Sequence, residues 1–216
     1  MALAIAFTTF ETAIPASRQD QNKNPLDQVI AVRGGDGVEL FTLFSDLLSS
    51  SRLPGGIVSM RECGSASGQL KYSFPSSTMT LREALDAVTA LSKDYRWVMH
   101  DGAIDLLPAS QEPALLKTSI TNFELSDSHA SVVSAGEKLL HTEEIRKHAA
   151  SLKLSEDDLQ MIIGGTSPSS IKVHMTGAMA QDVLNGIAVA QGHAVWQYSE
   201  SHCGGRNTYS LTWPVL

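Results

Sequence analysis

Seven histidines, two cysteines and a few acidic clusters are the residues of this chain that could do chemistry. His141 and His148 are seven apart, a spacing that puts two imidazoles on roughly one side of a continuous helix. No acidic or thiol ligand accompanies them at matching spacing, so they read as surface histidines. His174 and His193 flank a helical segment and read as structural. Glu143-Glu144 and Glu156-Asp157-Asp158 offer carboxylate pairs, but glycoside hydrolysis needs one carboxyl held in a pocket that raises its pKa. Nothing in the pattern indicates such a pocket. His202 and Cys203 are adjacent, yet a closed zinc site needs four ligands and no further ligand spacing is present. Ser65 and Ser67 near Cys63 lack the G-x-S-x-G frame of a nucleophile elbow. Arg33-Gly34-Gly35-Asp36-Gly37 precedes a helix and could cradle an anion on backbone N–H groups. It has neither the Lys-Ser/Thr of a phosphate loop nor a dinucleotide fingerprint, and reads first as a turn. No catalytic residue, metal site or cofactor is therefore expected.

Cys63 and Cys203 lie in glycine-rich, loop-like stretches, one in each half of the chain. They are either two free thiols or a disulfide, and a disulfide would mean an oxidising compartment. Trp97 and Trp196 continue alternating apolar faces, which makes core packing their first reading and a ligand-stacking pair their second. The formal charge of −7 is spread without a large basic cluster, against a nucleic-acid surface, which needs a basic stripe. No stretch reaches the ~20 apolar residues of a transmembrane helix. The apolar run Ala2-Leu3-Ala4-Ile5-Ala6-Phe7 lacks a basic segment before it. It reads as a frayed tail, an extra edge strand or a trimmed export signal.

The elements that must position these residues are organised as a repeat. Thr80-Leu81-Arg82-Glu83-Ala84-Leu85-Asp86-Ala87-Val88 leads into Tyr95-Arg96-Trp97. Ninety-nine residues later, Met179-Ala180-Gln181-Asp182-Val183-Leu184-Asn185-Gly186-Ile187 leads into Ala194-Val195-Trp196 without a gap. Leu81, Ala84, Leu85, Val88 and Leu91 match Ala180, Val183, Leu184, Ile187 and Ala190 in kind, both sets forming one apolar helix face. Thr80 and Glu83 make a capping box, and Asp101-Gly102 marks a type I′ hairpin. Another helix is expected over 38–48, and short strands over 56–60 and 69–74. In the second half a strand over 119–125, a helix carrying Val132 to Leu140, and one or two helical segments over 142–152 and 155–163 are expected. The predicted class is α+β, as tandem duplicated units with helices on a small, mainly antiparallel sheet. Residues 1–26 form a tail and linker, 27–110 the first unit, and 114–216 the second, with a helical insertion over 142–165.

The segment from Thr80 to Val88, followed by Tyr95-Arg96-Trp97, Asp101-Gly102-Ala103-Ile104 and Pro108, resembles the secretin and TonB N-terminus short domain (STN). The second half resembles a more divergent copy, keeping Gly192 near the helix end but lacking the Glu-Ala-Leu core. Ser92-Lys93-Asp94 departs from the family, where a Gly is usual. The resemblance covers about 35 residues per half and implies small envelope modules that dock to protein partners. It transfers no catalytic residue.

The expected function is thus a non-enzymatic binding or assembly module of a bacterial envelope, periplasmic or otherwise exported. The alternatives are an enzyme or small-ligand binder with its site between the halves, and a cytoplasmic location. An envelope protein or a second copy would bind through a strand edge. Thr208-Tyr209-Ser210-Leu211-Thr212-Trp213 is uncharged and rich in β-formers. If it is an edge, Tyr209, Leu211 and Trp213 would supply specificity, with Trp97 and Trp196 as further candidates.

Overall fold

The computed structural model describes residues 24–62, 71–127, 130–157 and 171–214. The first half contains β1 (Val29–Val32), β2 (Gly35–Glu39), α1 (Leu40–Ser51), β3 (Gly55–Glu62), β4 (Lys71–Phe74) and β5 (Ser77–Thr80). It continues with α2 (Leu81–Ala90), β6 (Tyr95–His100) and β7 (Ala103–Pro108). The second half contains β8 (Ser119–Asp127), α3 (Val132–Leu140), α4 (Glu143–Leu152) and β9 (Leu154–Glu156). Then come β10 (Ile171–Met179), α5 (Ala180–Gln191), β11 (Val195–Cys203) and β12 (Arg206–Thr212).

Local chemistry sets these boundaries. The Thr80 hydroxyl accepts the Glu83 N–H at 3.3 Å and the Glu83 carboxylate accepts the Thr80 N–H at 2.8 Å, so α2 starts on a full capping box. At the start of α5, Asp182 accepts the Met179 N–H at 3.1 Å. Asp101 and Gly102 have φ of 49° and 85°, as a type I′ turn requires. Both α1 and α4 end on a left-handed residue, Arg52 and Lys153, before entering a strand.

The mixed α/β architecture is the expected one. Its centre is a six-stranded sheet in the order β6-β7-β3-β11-β12-β9, to which both halves contribute three strands. The hairpins β6/β7 and β11/β12 are antiparallel, while β3 runs parallel to β7 and to β11, and β9 parallel to β12. The two-stranded pairs β1/β5, β2/β4 and β8/β10 are all antiparallel. The two sequence units thus share one sheet, joined at β3–β11 from Gly55↔Val195 to Glu62↔His202.

The helices of the two halves cover opposite faces of that sheet. Ile57, Ile104, Leu106 and Val195 belong to the core of α1 and α2, with Phe44, Leu85 and Val88; Trp97 packs against its margin. Their strand neighbours Val58, Leu107 and Trp196 point the other way, into the core of α3, α4 and α5 with Leu184 and Ile187. Every residue of β7 is buried, as expected for a strand covered on both sides.

Several expectations change. Residues 154–156 form strand β9 instead of beginning a helix. Ser155 is not an N-cap: its hydroxyl donates to the Asn207 carbonyl at 3.2 Å. The rest of 155–163 beyond Asp157 lies outside the described residues. His141 and His148 are not on one helix, because α3 ends at Leu140 and α4 begins at Glu143. Gly35 to Glu39, expected within a turn and the helix after it, is strand β2. The Gly34 N–H is taken by the Ser76 hydroxyl at 3.0 Å. A Cβ on Gly34 would lie 1.9 Å from the Phe74 carbonyl, so close backbone approach, not anion binding, requires this glycine.

Candidate docking edge

Of the candidate binding residues, Trp196, Tyr209, Leu211 and Trp213 are buried in the second core. Strand β12 is not an edge along its first part: it lies between β11 and β9, which pairs with Asn207, Thr208 and Tyr209. Tyr209 stacks on Tyr198 with centroids 6.4 Å apart. Trp97 is half-buried and Met99, next on its face, likewise. Cys203 is disulfide-bonded; Cys63, the chain's other cysteine, lies outside the described residues.

The remaining reactive residues are tied into structure. His148 Nδ1 meets the Thr118 hydroxyl at 2.7 Å, and His141 lies 3.7 Å from Glu156. Glu143 pairs with Lys147 at 2.5 Å, and Glu144 accepts the Thr121 N–H at 3.1 Å. His174 and His193 are exposed.

Two buried acids were not singled out by the sequence. Asp105, on β7, is 1% exposed and accepts from Gln181 Nε2 and Asn185 Nδ2 of α5, each at 2.7 Å. Burial raises its carboxyl above the ordinary aspartate range. The bonds from Asn185 and Gln181, the Gly56 N–H and nearby His100 only partly offset this. Its Oδ1 makes no hydrogen bond of good geometry, so the Gly56 interaction is a weak one. Asn185 Oδ1 in turn accepts the Trp196 indole N–H at 2.8 Å. This network ties the second half's helix to the first half's strand.

Glu200 is the other acid, 4% exposed. Tyr198 donates to its Oε2 and His202 Nε2 meets its Oε1, both at 2.7 Å. A carboxylate–imidazole pair can move a proton, but each Glu200 oxygen already has a partner. Burial, and then the neighbouring Glu200 charge, push the Tyr198 phenol well above its ordinary value. An alternation of Tyr198, Glu200 and His202 along one strand face was the available signal for this cluster.

An open groove of about 510 Å³ lies between β1 and α1, lined by Val32, Arg33, Leu43, Asp46 and Leu47 among others. Neither Asp105 nor Glu200 reaches it. Burial raises the Asp46 carboxyl, and Arg33 partly offsets the rise.

The feature best suited to recognition is the outer side of β6, which ends the sheet opposite the three-residue strand β9. Its ladder with β7 closes at His100↔Ala103 across the two-residue turn. Hydrogen-bonded pairs alternate from there, so His100, Val98 and Arg96 exchange bonds with β7. The backbone groups of Tyr95, Trp97 and Met99 face the other way. Among the described residues no strand pairs with that side. Neither Pro nor a bulge interrupts β6, two of the devices that block an edge. Arg96 is occupied by an ion pair with Glu112.

The side chain beside this edge has a counterpart at the seam. The Trp97 indole N–H donates to Asp86 on α2 at 2.8 Å, and the Trp196 indole N–H donates to Asn185 on α5 at 2.8 Å. Both members of the second pair lie ninety-nine residues after those of the first. Trp196 is completely buried, beneath the adjoining strand β3, whereas Trp97 is not. Comparison of the chain with family models, curated proteins and solved structures finds no match.

Proposed function

We propose that the chain is a protein-docking or assembly module of a bacterial cell envelope. Its two halves are copies of one STN-like unit, and β6 is the strand offered to a partner. The observation that carries this reading is the outer edge of β6, unpaired among the described residues, beside a half-buried tryptophan. Main-chain groups on such an edge supply affinity and the flanking side chains supply selectivity. The disulfide at Cys203 supports an oxidising, exported location. Between the halves, the buried Asp105 carboxylate uses its Oδ2 to hold the Gln181 and Asn185 side chains, which ties α5 to β7.

A photo-cross-linker at exposed His100, used in the native envelope fraction, tests the reading. Met99→Pro removes an outward N–H while leaving the β7 ladder intact. The expected result is a discrete protein adduct that Met99→Pro abolishes in a still-folded chain. Undiminished adducts with folded Met99→Pro would refute edge docking.

A further inference from the structure

We infer, resting on the docking reading above, that β6 takes its partner strand in parallel and in the register of the internal seam, with a glycine opposite Trp97. The partner segment is an extended, apolar strand that begins with small residues. At the seam, the Gly55 N–H donates to the Ala194 carbonyl at 3.2 Å, and β3 then runs parallel to β11. In a parallel ladder this directs the backbone groups of Ala194, Trp196 and Tyr198 at β3. Their counterparts in the first half, at the ninety-nine-residue offset, are Tyr95, Trp97 and Met99. These three residues have outward backbone groups on β6. The Tyr95 N–H is taken by the Ser92 carbonyl at 3.4 Å. Its carbonyl, the counterpart of the one that Gly55 engages on Ala194, and the Trp97 and Met99 groups have no strand partner among the described residues. This edge therefore presents the same atoms, in the same order, as one that is already filled.

Steric fit specifies the residue opposite the tryptophan. Trp196 pairs with Gly56, and a Cβ there would come within 2.0 Å of the indole Cζ2. The indole lies across the neighbouring strand and demands that a side chain be absent. Trp97, held to its own helix by the equivalent bond to Asp86, is half-buried, and among the described residues no such strand covers it. Asp86 and Arg82, exposed on α2, correspond to Asn185 and Gln181, which grip Asp105 at the seam. The same flank of α2 is thus available for polar contacts with a second partner strand.

The test uses the full chain and a synthetic peptide with the sequence of β3, Gly55–Glu62, followed by NMR. The chain has three tryptophans, so the indole signals are resolvable. The expected result is a saturable shift of the Trp97 indole and of the Trp97 and Met99 amides. A peptide carrying Gly56→Val should bind at least about tenfold more weakly, since overpacking against a fixed ring is costly. The peptide with its residues in reverse order should also bind more weakly, and Met99→Pro should lose binding with indole dispersion retained. No saturable shift at Trp97 overturns the inference, as does equal binding of the Gly56→Val or reversed peptide. If adducts at His100 still depend on Met99 while the peptides fail to discriminate, docking stands and this register falls.

Discussion

Gly56→Ala puts one methyl group against the Trp196 ring at the seam. The new Cβ would fall 2.0, 2.1 and 2.5 Å from three ring atoms of Trp196. A flexible side chain could swing away, but this indole is rigid, fully buried and bonded to Asn185. Overpacking of this kind costs about 1–3 kcal/mol. Displacing the ring would also release its hydrogen bond, a further loss of about 1 kcal/mol. Against this, alanine restricts the unfolded chain and returns about 0.4–1 kcal/mol. A net loss of about 1–3 kcal/mol is expected, a large share of a typical domain's stability. Urea unfolding followed by circular dichroism measures it. Adding Trp196→Leu should relieve the clash, giving a coupling of about 1–2 kcal/mol between the two changes. Gly102→Ala is the comparison, because no atom lies within 4 Å and only its φ of +85° opposes a side chain. A Gly56→Ala loss below about 0.5 kcal/mol, or strict additivity with Trp196→Leu, would refute the steric account.

Asp105 predicts a pH slope of definite sign. Its folded pKa lies above the ordinary 3.8, so the folded state binds the proton more tightly; this residue's contribution falls as pH rises from about 4 through the raised value and stays unfavourable above it. Asp105→Asn should remove that slope in unfolding titrations, and an unchanged slope would show that another group is responsible. Thiol titration of denatured, unreduced protein should find no free cysteine and reduction should release two; two thiols before reduction would remove the support for export. Reduction should also cost up to about 4–5 kcal/mol in unfolding measurements if the bond closes the long loop between the two cysteines. Trp196→Phe strands the buried Asn185 oxygen and should cost more, by about 1–3 kcal/mol, than Trp97→Phe; equal thermal shifts would contradict the difference in burial.

The parts of the fold that were legible in sequence are those with local chemistry. The capping box at Thr80, the periodic faces of α2 and α5, and the Asp101-Gly102 turn each announce themselves within a few residues. Trp97 and Trp196 could be matched by spacing, but their unequal burial depends on whether a distant strand lies alongside. Strand β9 was missed because three residues, Leu154 to Glu156, carry no usable alternation and follow a helix directly. Gly56 was legible only as the first residue of a strand, whereas its role is to admit an indole from 140 residues away in sequence. Asp105 and Glu200 were inconspicuous because a lone acid in an apolar strand reveals its burial only when both sheet faces are known to be covered.

The long separation between β3 and β11 also orders events during synthesis. A chain made from its N-terminus completes β3, β6 and β7 well before β11 or α5 exists. During that interval β3 has a bare backbone edge, and Val58 and Leu107 lack the core that will cover them. The seam forms only when the last quarter of the chain arrives, so its contacts are among the most non-local in the fold and are late to reward the entropy of closing the loop. The nascent first half therefore carries, for as long as translation lasts, the unpaired edge and apolar surface that invite aggregation, and the second half acts as its obligatory cover.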